Sequence, residues 1–215
     1  MHYICYYNKH MVLPVSIYTG EGSTTQLRPS IHAGLEMIAS ATGIELCVTN
    51  IGGCSQLDRR EINPDSLPVE RLGRGRLHIL LGDFSLRGNL AGSYFGDGVV
   101  FLNPRLPQTQ SALQIATPET TTKIATAHES AHALGFVREE LSSTGHCESS
   151  GCVMQAKLGS MTTEAERGHD QIWTDVVTIV DTRPKIVPAN TSFCGTCAED
   201  MRANIAQQIH LLRAA

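Results

Sequence analysis

Apolar and polar positions in the first half of the chain alternate with two different periods. Residues 12–20 (VLPVSIYTG) and 44–50 (IELCVTN) have the composition and spacing of short strands. Between them, apolar residues recur every three or four positions over 30–42, which predicts a helix that Gly43 ends. Strand, helix and strand in this order predict an α/β fold built around a sheet.

The middle of the chain continues with shorter elements. Residues 52–76 are polar and rich in turn formers, so we predict a loop with room for one short helix. Residues 77–84 (LHILLGDF) predict a buried strand, and 90–103 predict two short strands joined by a tight turn at the sequence GDG. Residues 118–134 predict a helix that Gly135 stops, and an amphipathic helix is predicted at the end of the sequence.

Composition and charge exclude several classes of protein. The chain has 215 residues, 41% of them hydrophobic and 18% charged, which is typical of a compact globular protein. The formal net charge is −4 with no basic run, so nucleic acid is not an expected partner. No apolar run reaches the ~18 residues of a membrane span, and the first 20 residues lack the features of a signal peptide. We therefore expect a cytoplasmic monomer with no membrane partner.

The predicted helix over 118–134 carries a metal-binding pattern. His128 and His132 are four residues apart, so a helix places both imidazoles on one face. Glu129 lies beside them, close enough to take a proton from water at the metal. Zinc suits two imidazoles that leave room for a third ligand and water. The alternative is a helix with two ordinary polar histidines, but its small apolar neighbours would leave both imidazoles poorly satisfied.

The third ligand defines the subclass of zinc site. In the extended metzincin signature HExxHxxGxxH, a glycine follows the second histidine and a third histidine follows the glycine. Gly135 is in place, but Arg138 occupies the third-ligand position and cannot bind zinc. The next histidine is His146, eight residues further on. Glu139 and Glu140 are the alternatives if the helix resumes after the glycine, because carboxylates also bind zinc.

Cysteines suggest a second metal site. The sequence has seven cysteines and no sign of secretion, so metal ligation explains clustered cysteines better than disulfides do. Four of them fall into two pairs that suit structural zinc: Cys147, Cys152, Cys194 and Cys197. A thioredoxin-type redox role for the CGTC sequence is the rival, but it leaves the first pair unexplained. The other three lack paired spacing and are predicted to be incidental thiols: Cys5, Cys47 and Cys54.

Together these residues resemble the archaemetzincins, which carry HExxHxxGxxHC, then CxxxxCxM, then CxxC. Order and chemistry match at His128, Glu129, His132, Gly135, His146, Cys147, Cys152, Met154, Cys194 and Cys197. Two insertions depart from the family pattern: eight extra residues precede His146, and 39 residues separate Met154 from Cys194. A loop can lengthen while its ends stay fixed, so His146 is taken as the third ligand because Cys147 follows it as the family pattern requires.

The resemblance implies a compact metzincin-like zincin domain with a twisted mixed sheet, an active-site helix and a smaller C-terminal subdomain. It implies one domain over residues 1–215. The upper subdomain, over about 1–135, would hold the sheet and the active-site helix, and the lower one, over about 136–215, would hold the structural zinc. The sequence SYFGDGVVFLN is similar to the metzincin edge strand and its neighbour, which border the cleft. An exposed edge can bind an extended peptide by strand addition, and the alternative is an ordinary sheet edge.

The resemblance also implies function and site residues. The protein would be a zinc metallopeptidase, an endopeptidase or an aminopeptidase, acting on a peptide or protein substrate. Two zinc ions are implied: a catalytic one held by His128, His132 and His146, and a structural one held by the four paired cysteines. Glu129 would act as general base and then as proton donor to the leaving amine. Met154 would be the methionine of the Met-turn beneath the catalytic zinc.

A different class of function stays open from the sequence. The insertion before His146 can displace the third ligand, which would leave a non-catalytic peptide-binding module stabilised by the four-cysteine zinc. Glu129 favours the enzyme, because a purely structural zinc needs no adjacent general base.

Overall fold

The computed structural model describes most of the sheet, three helices and the segments that carry the paired cysteines. The described residues are 12–20, 26–58, 62–68, 72, 75–84, 92–95, 98–103, 118–136, 146–147, 149, 152–154, 177–180, 183–186 and 192–214.

Five strands form a mixed sheet in the order β2-β1-β3-β5-β4. They are β1 (Val12–Thr19), β2 (Glu45–Gly53), β3 (Leu77–Leu81), β4 (Gly92–Phe95) and β5 (Val99–Leu102). Strands β1, β2, β3 and β5 run parallel, whereas β4 is antiparallel to β5 at one edge of the sheet. This mixed sheet with its helices confirms the predicted α/β class.

Three α-helices, a small hairpin and two short 3-10 helices (Ser55–Asp58 and Pro64–Ser66) accompany the sheet in the described part of the chain. The helices are α1 (Arg28–Thr42), α2 (Pro118–Ala133) and α3 (Gly195–Ala214). The hairpin is an antiparallel pair, β6 (Val177–Val180) and β7 (Arg183–Ile186). None of the helices in the described part of the chain has the length and apolar character that crossing a membrane requires.

The main core lies between the sheet and the helices α1 and α2. The alternate residues Leu13, Val15 and Ile17 of β1 point to this side and are completely buried. Apolar positions of α1 at helical spacing, including Ile31 and Ile38, pack against them. A second cluster on the other face of the sheet joins residues of the segment that follows β2 to residues in or next to β3 and β5: Leu57, Ile62, Leu67, Leu80, Phe84, Val99 and Phe101.

Gly34 lets α1 and α2 approach each other closely. A Cβ at this position would lie 2.5 Å from the carbonyl oxygen of Lys123 and 2.7 Å from the Cβ of Thr126, both in α2. Because backbone atoms cannot move aside cheaply, any larger residue must push α2 away from α1. The position of α2 on the sheet therefore depends on the missing side chain at Gly34.

The observed elements differ from the predicted ones mainly at their ends. β2 continues through Gly52 and Gly53, where we predicted a loop, because both residues pair with β1. Tertiary pairing thus outweighs the preference of glycine for loops. The hairpin of β6 and β7 was not predicted at all. The division into subdomains at about residue 135 stays a prediction.

We expect Gly34→Ala to destabilise the protein by about 1–2 kcal/mol, since overpacking costs more than the ~1 kcal/mol that alanine gains over glycine in a helix. Urea unfolding measures the effect. Ser40→Ala, at an exposed position of the same helix, is the control and should be neutral or slightly stabilising. Equal stabilisation by both substitutions would contradict the close approach of the two helices.

Candidate metal centres

Helix α2 carries the residues of the HExxH motif on a buried stretch. His128, Glu129 and His132 are at most 8% exposed, and the neighbouring small residues Ala127 and Ala131 are completely buried. Such small neighbours allow α2 to lie close to the sheet and to β4. The histidines and the carboxylate are therefore held by a helix that is itself fixed on both sides.

The turn after α2 gives His132 a hydrogen-bond partner. Gly135 has a φ of 88°, a left-handed conformation that glycine adopts without strain, and the chain reverses there. The N–H of Phe136 then bonds back to the carbonyl of Ala131. This places the carbonyl oxygen of Phe136 2.9 Å from Nδ1 of His132. The glycine of the motif is thus needed to orient the second histidine.

Nδ1 of His128 is held in the same way by a more distant part of the chain. It lies 2.7 Å from the carbonyl oxygen of Val153. A carbonyl oxygen can only accept a hydrogen bond, so Nδ1 carries the proton in both rings. The lone pair of each ring is then on Nε2, and these two atoms face each other at 3.2 Å.

The three histidines converge on one point. Nitrogen atoms of His128, His132 and His146 all lie within 4.8 Å of one another. Tetrahedral zinc with Zn–N distances of about 2.0–2.1 Å needs ligand nitrogens roughly 3.3 Å apart, which matches the 3.2 Å between the two Nε2 atoms. Two lone pairs directed at each other in a buried place repel unless a cation lies between them. The donor set therefore fits zinc.

Burial keeps the two histidines of α2 neutral. Burial and, to a smaller extent, the neighbouring His132 together lower the pKa of His128 to about 3. Burial likewise lowers the pKa of His132 to about 4. Only a neutral imidazole can bind a metal, so both rings are in the metal-binding form at neutral and mildly acidic pH.

Glu129 contacts strand β4, whereas His128 and His132 face each other. Burial raises the pKa of its carboxyl to about 8, and a hydrogen bond from the backbone N–H of Tyr94 in β4 opposes that shift. The phenol ring of Tyr94 stacks on His132, with ring centroids 5.1 Å apart and planes inclined by 22°. Strand β4 therefore borders the site on the side of the general-base candidate.

The four paired cysteines form a second group of possible ligands. Sulfur atoms of Cys147, Cys152, Cys194 and Cys197 lie within 4.8 Å of one another, and all four are free thiols. The sulfurs of Cys147 and Cys194 are 3.7 Å apart, which matches the roughly 3.8 Å expected between two ligands of tetrahedral zinc at about 2.3 Å. This grouping accounts for Cys147 and Cys152, which a redox role of the CGTC sequence alone leaves unexplained.

Backbone N–H groups already favour negative charge on two of these sulfurs. The N–H of Ser149 donates to Sγ of Cys147, and the N–H of Cys194 donates to Sγ of Cys152, both at 3.3 Å. The thiol of Cys197 and the N–H of Cys194 lower the pKa of Cys152, because they donate hydrogen bonds to its thiolate. Thiolates are the form that binds metal.

The two groups of ligands are connected through short backbone segments. His146 directly precedes Cys147, whose N–H bonds to the carbonyl of Met154 at 2.7 Å. Val153, which orients His128, lies between Cys152 and Met154, and its N–H bonds to the carbonyl of Ser192. Met154 is completely buried in one cluster with Ala131, Phe136 and three of the cysteines. The cysteine group thus lies next to the segments that carry His146, Val153 and Phe136.

The structure brings together every site residue predicted from the sequence that it describes. The roles of Glu129, Met154 and the seven ligand candidates stay predictions, as does the count of two zinc ions. The alternative third ligands Glu139 and Glu140, together with Arg138, lie outside the described residues. Cys5 also lies outside them, and Cys47 and Cys54 are not part of the four-cysteine group.

Sequence reasoning missed the groups that orient the predicted residues. These are the backbone carbonyls of Phe136 and Val153, the ring and N–H of Tyr94, and Gly92, which lies against Glu129. Backbone groups carry no signal in side-chain patterns, so the two carbonyls could not be found. The edge strand around Tyr94 was predicted to border the cleft, but its pattern does not identify which residues touch the site.

Comparison with known structures agrees with the fold. The chain is similar to the archaemetzincin of Methanopyrus kandleri, with a TM-score of 0.53 and 13% sequence identity over 93% of this chain and 98% of that chain. It also matches a zinc-dependent peptidase from Methanocorpusculum labreanum, with a TM-score of 0.44 and 14% identity over 87% of this chain and 99% of that chain. No protein-family model matches the sequence, and no curated protein does. The chain therefore shares the fold of the Methanopyrus archaemetzincin, which confirms the predicted resemblance for the fold.

We expect loss of the cysteine site to weaken the histidine site. Cys194→Ser should lower the Co²⁺ affinity of the histidine group by about 10- to 100-fold, the usual effect of disturbing groups that orient metal ligands. Absorption titration with Co²⁺ distinguishes nitrogen from sulfur ligation and follows each site separately. Cys54→Ser, outside both groups, is the control. Unchanged affinity of the histidine group in Cys194→Ser would contradict the connection between the sites.

Proposed function

We propose that the protein is a zinc-dependent metallopeptidase. His128, His132 and His146 hold the catalytic zinc, the four paired cysteines hold a structural zinc, and Glu129 is the general base. The observation that carries this proposal is the convergence of three imidazoles, within 4.8 Å, beside a buried carboxylate. The fold shared with the Methanopyrus archaemetzincin supports it.

Each part of the site has a defined task in peptide hydrolysis. Zinc held by His128, His132 and His146 would supply Lewis-acid chemistry, which would polarise the scissile carbonyl and lower the pKa of water towards neutrality. The carbonyls of Phe136 and Val153 fix the ring orientation of His132 and His128, so the ligands need no rearrangement. Glu129 takes the proton from the attacking water on its carboxylate and passes it to the leaving amine.

The environment of Glu129 suits a group that both takes and gives a proton. Burial raises its pKa to about 8, close to neutral pH, where neither proton uptake nor proton release is strongly opposed. The N–H of Tyr94 counteracts this shift by stabilising the carboxylate.

The substrate is a peptide or protein that binds along β4. This strand lies at the edge of the sheet and borders the histidines through Tyr94, which is 44% exposed. An extended peptide can pair with such an edge through its backbone, which supports cleavage within or at the amino end of a chain. A cytoplasmic monomer without nucleic-acid or membrane partners stays a prediction.

We expect Glu129→Gln to lower the rate of peptide hydrolysis by about 10²- to 10⁴-fold, the usual contribution of a general base, while both metals stay bound. A peptide library analysed by mass spectrometry measures cleavage and shows whether it is internal or amino-terminal. Glu119→Gln, at an exposed position in the first turn of the same helix, is the matched control.

Removal of metal by a chelator should abolish hydrolysis by the wild type, and added zinc should restore it. Hydrolysis by Glu129→Gln at the wild-type rate would contradict the role of Glu129. No metal-dependent hydrolysis by the wild type, with peptide binding retained, would favour the non-catalytic binding module.

A further inference from the structure

Strand β4 packs tightly against the side chain of Glu129, the general-base candidate. A Cβ built on Gly92 would lie 2.7 Å from Cγ and 3.4 Å from Oε1 of Glu129. On its other side, the carbonyl oxygen of Phe101 in β5 would be 3.2 Å away. Gly92 itself is buried, so the space beside its Cα is filled by the side chain of Glu129.

No larger residue fits at this position without moving Glu129. The nearest atom is Cγ, which lies close to the backbone of α2, and not the mobile end of the side chain. The carbonyl of Phe101 is part of the sheet and prevents the strand from shifting sideways. A methyl group at Gly92 must therefore displace the carboxylate of Glu129 from its present place.

Tyr94 lies two residues further along β4, so its side chain points to the same face as the Cα hydrogen of Gly92 that faces Glu129. Its ring stacks on His132 at 5.1 Å, and its backbone N–H donates a hydrogen bond to the carboxylate of Glu129. One strand thus contacts both the general base and a metal ligand. These contacts go beyond the binding of a peptide along the edge.

We propose that Gly92 and Tyr94 are positioning residues of the reaction. Gly92 fixes the course of the Glu129 side chain, the N–H of Tyr94 fixes its carboxylate, and the ring of Tyr94 holds His132 in its orientation. The effect on the reaction rests on the proposed peptidase function. The contacts of β4 with Glu129 and His132 do not depend on that function.

The geometry distinguishes this role from a role in substrate binding. Backbone groups that pair with a peptide lie in the plane of the sheet, whereas side chains stand perpendicular to it. Gly92→Ala therefore changes the place of Glu129, while the backbone of β4 itself stays paired with β5. Misplacing a catalytic group by about 1 Å can cost roughly 10²-fold in rate. The expected effect is on kcat and not on KM.

The first test compares Gly92→Ala with Gly52→Ala in the full-length, zinc-loaded protein. Gly52 lies in β2, and a Cβ there would make only an ordinary contact of 3.5 Å with Tyr18. We expect Gly92→Ala to lower kcat by about 10- to 100-fold with KM within about twofold and the zinc count unchanged. Gly52→Ala should match the wild type. Equal kcat for both variants would overturn the inference.

A second test does not depend on activity. We expect Gly92→Ala to lower the urea midpoint of unfolding in the wild-type background, and this loss to shrink by at least half when Glu129→Ala removes the crowded side chain. An undiminished loss in the Glu129→Ala background would overturn the proposed contact. If the wild type hydrolyses no peptide, the proposed function fails, while this cycle still decides whether β4 holds Glu129.

The ring of Tyr94 has its own test, with Co²⁺ as the probe. Tyr94→Ala should lower the Co²⁺ affinity of the histidine site about tenfold or more, whereas Tyr94→Phe, which keeps the ring, should bind Co²⁺ as the wild type does. The same affinity in all three proteins would overturn the role of the ring in orienting His132.

Discussion

Two imidazoles whose lone pairs face each other at 3.2 Å in a buried place are the constraint on which the rest of the structure depends. The HExxH spacing brings His128 and His132 together on α2, and burial keeps both rings neutral. Neutral rings in this position are costly unless each Nδ1 has a hydrogen-bond acceptor and each Nε2 has a cation. The chain around α2 supplies the acceptors, and a third histidine completes a donor set for the cation.

The two acceptor carbonyls belong to segments outside α2, and each segment is held in place by a different feature of the chain. Gly135 reverses the chain after α2 and places the carbonyl of Phe136, which is a local solution. The carbonyl of Val153 comes from the segment that directly follows Cys152, next to the four cysteine sulfurs. A small four-cysteine site can fix such a segment where little apolar surface is available for packing. The four-cysteine group therefore supports the histidine group through the backbone.

Side-chain patterns predicted the ligand candidates better than they predicted the groups that orient those candidates. The HExxH spacing and the cysteine pairs identified the ligand candidates, because these residues recur at intervals that their chemistry requires. His146 was found only through its neighbour Cys147, since eight extra residues separate it from the usual position. Gly92 and Tyr94 were missed as individual residues, because their roles come from the packing of β4 against α2, which is long-range. The extension of β2 through Gly52 had the same cause, since strand pairing outweighed local preference.

The central claim is that three histidines and four cysteines make two separate zinc sites, and the most direct measurement is the number of zinc ions per chain. Native mass spectrometry of the wild type and of His146→Ala provides it. We predict two zinc ions in the wild type and loss or clear weakening of one in the variant. Two firmly bound ions in both proteins would show that His146 is not the third ligand. A single ion that survives the substitution would contradict the catalytic site as a whole.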